Sequence, residues 1–193
     1  MSNLALSIGL GIALASATGF RTFLPMLVVS GAAYFGHLHL AQSFAWLGTA
    51  PALIMLSVAA VAEVLAFYIP VLDNLLDALS TPAALIAGTI VSAAVMSDVP
   101  PMVKWTAAIV AGGGIAGLTR GVIGIARAHS TVATAGLGNP VISTAELVGA
   151  VLIVVLAFMA PVVAIALVIL FLLVVIRLAR RLLRRANPSE RRA

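Results

Sequence analysis

Apolar sequence follows apolar sequence along this chain, at residues 3–18, 22–36, 51–70, 82–97, 104–126, 143–160 and 161–177, with little polar sequence between the stretches. That succession is what most limits the fold. A soluble domain of this length buries one core under a polar shell. Here 63% of residues are hydrophobic and 9% charged, against about 25% charged in ordinary soluble domains, so there is no shell to build. The reading is an all-α integral membrane protein with five to seven apolar helical segments. Residues 1–176 form a transmembrane helical domain and residues 177–193 a basic tail.

Several of the runs fall short of the roughly 20 residues that a full span requires, so the short ones are expected to be tilted, broken or re-entrant. Re-entrant backbone is expected around Gly19 to Pro25 and Ala135 to Pro140, where irregular structure must be buried in protein or face a watery cavity. Residues 143–177 read as one helix would be about 52 Å long at 1.5 Å per residue, too long for one span, which makes Pro161 a break or turn. The N-terminal run resembles a signal peptide but lacks a basic n-region, so a retained first helix is expected.

Charge is divided unevenly. Residues 1–176 carry four basic and five acidic side chains, whereas residues 177–193 carry seven arginines and one glutamate. The positive-inside rule makes that tail cytoplasmic, in a multi-pass protein of a bacterial inner membrane. If all seven runs cross, Arg21, Arg120 and Arg127 also fall on the cytoplasmic side and Lys104 outside. Arg177, Arg180, Arg181, Arg184 and Arg185 make a helical stripe suited to anionic lipid headgroups. Nucleic acid is not the expected partner, because the basic run directly continues an apolar span.

Few residues inside the apolar domain can carry chemistry. Arg21, in "ASATGFRTFLP", stands between Gly19 and Pro25, where a helix break would free backbone N–H groups beside a guanidinium. An arginine at mid-bilayer costs about 2.5–3.5 kcal/mol on insertion scales and needs a partner. Glu63 lies deep in the third run, with Arg21 its expected partner. Glu146 is expected to pair with Arg120 or Arg127. Asp73 and Asp77 stand one helical turn apart with Asn74 beside them, in what reads as an amphipathic turn between membrane segments or as donors to a hard cation. The stretch 127–143, "RAHSTVATAGLGNPVIS", which includes Asn139, reads as a loop, with Ser143 and Glu146 at capping-box spacing.

Small residues recur four apart at Gly11, Ala15 and Gly19 and again at Gly113, Gly117 and Gly121, the spacing that lets helices pack closely. Each set precedes a helix with one glutamate, which suggests an internal two-fold repeat with a site between the halves. His37, His39 and His129 are too scattered for a metal set, and cysteine is absent. No Ser-His-Asp order, HExxH or phosphate-binding glycine loop occurs, so neither an enzyme nor a cofactor is expected.

The stretches "ATGFRTFLP", "AEVLAFYIPVLDNLLDAL" and "STVATAGLGNPVISTAE", at 17–25, 62–79 and 130–146, resemble domain-of-unknown-function family 4126, small bacterial integral membrane proteins. The resemblance covers nearly the whole chain. It implies that Gly19, Arg21, Phe23, Pro25, Glu63, Ile69, Pro70, Asp73, Asp77, Ser130, Thr131, Asn139, Pro140, Ser143 and Glu146 belong to the family pattern. The family often has a charged pair where this chain has Phe67 and Tyr68, and a second acid where it has Leu147. The expected function is a small, homo-oligomeric transporter or channel-like protein for a solute or ion. Its site would be drawn from Arg21, Glu63, Asp73, Asp77, Arg120, Arg127, Asn139 and Glu146. The alternative is a non-transporting scaffold or lipid-interacting subunit.

Overall fold

The computed structural model describes residues 2–134 and 136–186, apart from the side chains of residues 2, 3, 70, 71, 73, 74, 172, 175, 176 and 178–186. The expected lipid contacts of the basic tail therefore lie outside the described residues, except for Arg177. Among the described residues every regular element is helical: α1 (Ser2–Phe20), α2 (Phe23–Tyr34), a 3₁₀ segment (Gln42–Gly48), α3 (Ala50–Ala66), α4 (Pro70–Val95), α5 (Pro101–Thr106), a π-helical segment (Ala107–Gly113), α6 (Gly114–Thr134), α7 (Asn139–Met159) and α8 (Pro161–Ala186). Proline marks many of the starts. Pro51, Pro70, Pro101 and Pro140 all sit in first turns, where a missing N–H costs no intrahelical bond.

Three helices are long and apolar enough to cross a membrane, at Leu75–Val95, Pro101–Thr134 and Asn139–Met159. The 3₁₀ segment and α3, bent by 68°, would make a fourth if they form one span. Leu4–Phe20, Phe23–Tyr34 and Pro161–Phe171 are apolar but shorter, so of the five to seven apolar segments expected, three or four reach full-span length among the described residues and the rest are short. Contacts fix the helix directions. Thr18 meets Ala84 while Gly11 meets Ser92, so α1 and α4 are antiparallel. Thr22 meets Glu63 while Ala33 meets Gly48, so α2 and α3 are too. The α1–α2 bend, the ends of α3 and α6 and the starts of α4 and α7 thus gather at one end of the bundle.

Helix α1 is the centre, packed against α4, α6, α7 and α8. Ala13, Leu14, Ala15 and Ala17 are fully buried, and such small side chains allow close approach. A Cβ on Gly19 would stand 2.5 Å from Thr119 Cβ and 2.6 Å from the Ala116 carbonyl oxygen. Gly11 packs as tightly on Ser92, and Gly113 on Thr89. The expectation fails at Gly121, where a Cβ would meet nothing within 4 Å, and Gly117 meets only the Leu85 side chain. The tight seam instead runs through Gly112 and Ala116, which face Gly88 of α4.

Three other expectations are corrected. Residues 127–143 are not a loop: α6 runs to Thr134 and α7 resumes at Asn139, joined by a short turn in which Gly136 has φ 87°. That left-handed φ favours glycine. The region 70–81 is not a turn between segments, because α4 continues from Pro70 through Pro82 to Val95. The repeat is not carried through in helix order either. Glu63 ends a helix that runs toward the gathered end, whereas Glu146 lies near the start of one that leaves it. The break at Pro161 is as expected, with α7 ending at Met159.

Candidate functional site

Asp77 and Glu146 lie seven residues into α4 and α7, and Arg127 seven residues before the end of α6, so all three sit about 10 Å inside those helix ends at 1.5 Å per residue. Helices α1 and α3 end at this depth. The bend at Arg21 therefore brings that side chain to the other charged groups inside the bundle.

The ring of Phe67, just past the end of α3 and 2% exposed, is the middle of the arrangement. The guanidinium carbons of Arg21, Arg127 and Arg120 stand 4.3, 4.6 and 5.5 Å from its centroid. Desolvated cation–π contacts of this kind contribute up to about 2 kcal/mol each. Three buried arginines would still be untenable alone, and three carboxylates surround them.

Arg127 is gripped from α7. Its Nε donates to Glu146 Oε1 at 2.6 Å and its Nη2 to Glu146 Oε2 at 2.8 Å, a fork-to-fork pair, while Nη2 also donates to Ser143 Oγ at 2.7 Å. Ser143 and Glu146 lie three apart on one face of α7, which is why both reach the same guanidinium. Arg120 donates to Asp77, and Arg127 Nε lies 3.6 Å from the same carboxylate oxygen.

Glu63 does something different. Its two oxygens accept hydrogen bonds from the backbone N–H groups of Thr22 at 2.7 Å and Phe23 at 3.0 Å. These are orphan donors of the first turn of α2, whose N-cap Thr22 offers no side-chain bond of its own. The freed N–H groups expected beside Arg21 do exist, but an internal carboxylate occupies them.

Arg21 is therefore not paired with Glu63 as expected. Its Nη2 donates to the Ser143 carbonyl at 2.7 Å and stands 3.7 Å from Glu146 Oε2. Its Nε and Nη1 are buried without any hydrogen-bond partner, although the residue is only 1% exposed. Two buried guanidinium nitrogens without a partner among the described residues are the most unusual feature of the site.

The structure thus brings together Arg21, Glu63, Asp77, Arg120, Arg127 and Glu146. Asn139 sits apart at the first residue of α7, where its side-chain amide donates to Thr131 Oγ1 at 3.1 Å. The side chain of Asp73 lies outside the described residues, so a shared cation site with Asp77 has no support here. Among the described residues no group of three or more His, Cys, Asp or Glu is placed to hold a metal. Ser143 is not the N-cap of α7, because the helix starts one turn earlier with Gly138 as cap, and its hydroxyl serves Arg127 instead. Phe67 was legible only as one turn after Glu63 on the same helix.

Beside the cluster, a cleft of about 400 Å³ opens between α3 and α4, with Glu63, Thr22 and Phe67 at one end. A family model described as Domain of unknown function (DUF4126) matches residues 8–181. No curated protein and no solved structure matches the chain.

Proposed function

Because the chain belongs to that family of unknown function, we propose from its geometry that it is a small membrane transporter or channel-like protein for a solute or ion. The site would be the charged cluster around Phe67. One observation carries this reading: Arg21 is buried with two of its three guanidinium nitrogens unpartnered. Leaving a buried donor unmet costs about 1–3 kcal/mol, more when it is charged. A side chain serving only as a clasp would be expected to meet that cost with protein acceptors, as Arg127 does. Donors held ready in a buried site suit an acceptor-bearing guest, a solute or a water that travels with it.

A second reading has its own support. Among the described residues Arg21, Arg120 and Arg127 pair with Asp77 and Glu146, and a network of this kind can simply hold helices together. In that reading the chain is a non-transporting scaffold or lipid-interacting subunit. Flux into proteoliposomes, across a panel of small anions, cations and neutral solutes, separates the two. The transport reading expects flux above background for wild type and loss of it in Arg21→Gln. Background flux for the whole panel with folded wild type would remove it in favour of the scaffold.

The setting is part of the proposal. We take the membrane to be a bacterial inner membrane with the basic tail in the cytoplasm, following the charge bias of residues 177–193. That orientation would put the cluster in the cytoplasmic half of the bilayer. No catalytic chemistry is proposed, and assembly into a homo-oligomer stays part of the same reading.

A further inference from the structure

We propose that the α3–α4 cleft is a lipid site that holds one acyl chain of a membrane phospholipid. Helices α3 and α4 are consecutive, yet they touch little, and a cleft is left between them. Ala59, Ala62 and Ala66 of α3 and Ala83 of α4 leave room in it between the larger Phe67, Leu76 and Leu79. The cleft between them encloses about 400 Å³, within the range of small-molecule sites of roughly 300–1,000 Å³.

The occupant follows from the walls and from their surroundings. Almost everything lining the cleft is aliphatic or aromatic, so water gains nothing there. It is continuous with the lipid-facing surface of the same helices, where Val61, Leu65, Leu75 and Leu79 are 59, 60, 58 and 57% exposed. The polar lining is Glu63, Thr22 and Ser80, and the Ser80 hydroxyl donates to the Asp77 carbonyl. Glu63 and Thr22 lie toward the gathered helix ends, and Ala59 lies about 6 Å deeper, four residues before Glu63 on α3. That gradient is the one a lipid in the adjacent leaflet would follow, head outward and chain inward. A docked helix is too thick for the space, at about 10–12 Å across with its side chains.

The inference is independent of transport, since an acyl chain filling the gap between two helices is as useful to a scaffold as to a transporter. Its test is native mass spectrometry of the full chain after exchange into phosphatidylethanolamine and, separately, phosphatidylglycerol. Wild type is expected to retain one lipid per chain from either class, because the chain and not the headgroup is held. Ala62→Phe fills the cleft. Displacing about two methylenes of buried chain lowers lipid occupancy about tenfold. Ile54→Phe, on the open lipid-facing side of α3 at 65% exposure, is expected to leave occupancy unchanged. Ala83→Phe fills the cleft from the opposite wall and stands in if Ala62→Phe does not fold. Equal retention in wild type and the folded filled variant would overturn the proposal. So would retention of one headgroup class alone, or a lipid-free dimer, which would put a second copy in the cleft.

Discussion

Replacing Glu146 by glutamine probes the charged cluster at its tightest pair. The substitution keeps the shape of the side chain but removes the charge that accepts from Arg127 Nε at 2.6 Å and Nη2 at 2.8 Å. A glutamine can still accept one of those bonds through its oxygen, but its NH₂ group then faces the other guanidinium nitrogen as donor against donor. Arg21 would also lose Glu146, its ion-pair partner within 4 Å among the described residues. Breaking a buried pair by removing one partner costs about 3–5 kcal/mol, and Glu146 is 3% and Arg127 1% exposed. Unfolding in mixed micelles, followed by circular dichroism, would measure it. Arg127→Gln alone is expected to cost a similar amount by stranding Glu146. The double variant removes both members of that pair, so it should cost less than the sum of the two by about 2 kcal/mol. A single Glu146→Gln effect under about 0.5 kcal/mol, or strict additivity in the double, would refute the pairing on which the site is built.

The other predictions rest on different contacts. Glu63→Ala should destabilise by about 1–3 kcal/mol, since it strands the Thr22 and Phe23 N–H groups, and Glu63→Gln should recover part of this through its one carbonyl oxygen. Hydrogen exchange read at those two amides checks the cause, with lost protection at Thr22 and Phe23 in the alanine variant. Gly19→Leu drives a Cβ to 2.6 Å from the Ala116 carbonyl oxygen, so it should abolish the folded monodisperse species in size-exclusion chromatography. Gly121→Ala has open space and should be neutral or stabilising by about 0.5–1 kcal/mol in thermal unfolding.

The polar residues were legible in the sequence because so few survive in an apolar chain. Arg21, Glu63, Asp77, Arg120, Arg127 and Glu146 stood out for that reason, and the structure gathers them. Which partner each takes was not legible. Spacing assigns residues to a helix face but does not say which helix lies opposite. Glu63 was matched to Arg21 on economy of charge, whereas backbone N–H groups at a helix start hold it instead. The small-residue seam was legible only in part. Gly113 and Gly117 do meet Thr89 and Leu85, Gly121 meets nothing, and the approach of α4 adds Gly112 and Ala116 against its Gly88. Phe67 carries no charge, and the sequence marked it only as a departure from the family pattern, although three guanidinium groups converge on its ring.

The account rests on Arg21 keeping two donors for a guest, and side-chain ¹⁵N nuclear magnetic resonance of the chain in lipid nanodiscs reads that directly. Arg127 Nε–H should show through-space contact with the Glu146 carboxylate, its 2.6 Å partner. Arg21 Nε–H should show contact with water or an added solute and none with a protein carbonyl or carboxylate. Contact of Arg21 Nε–H with a protein acceptor, unchanged across the solute panel, would contradict the account and leave the arginine a structural clasp.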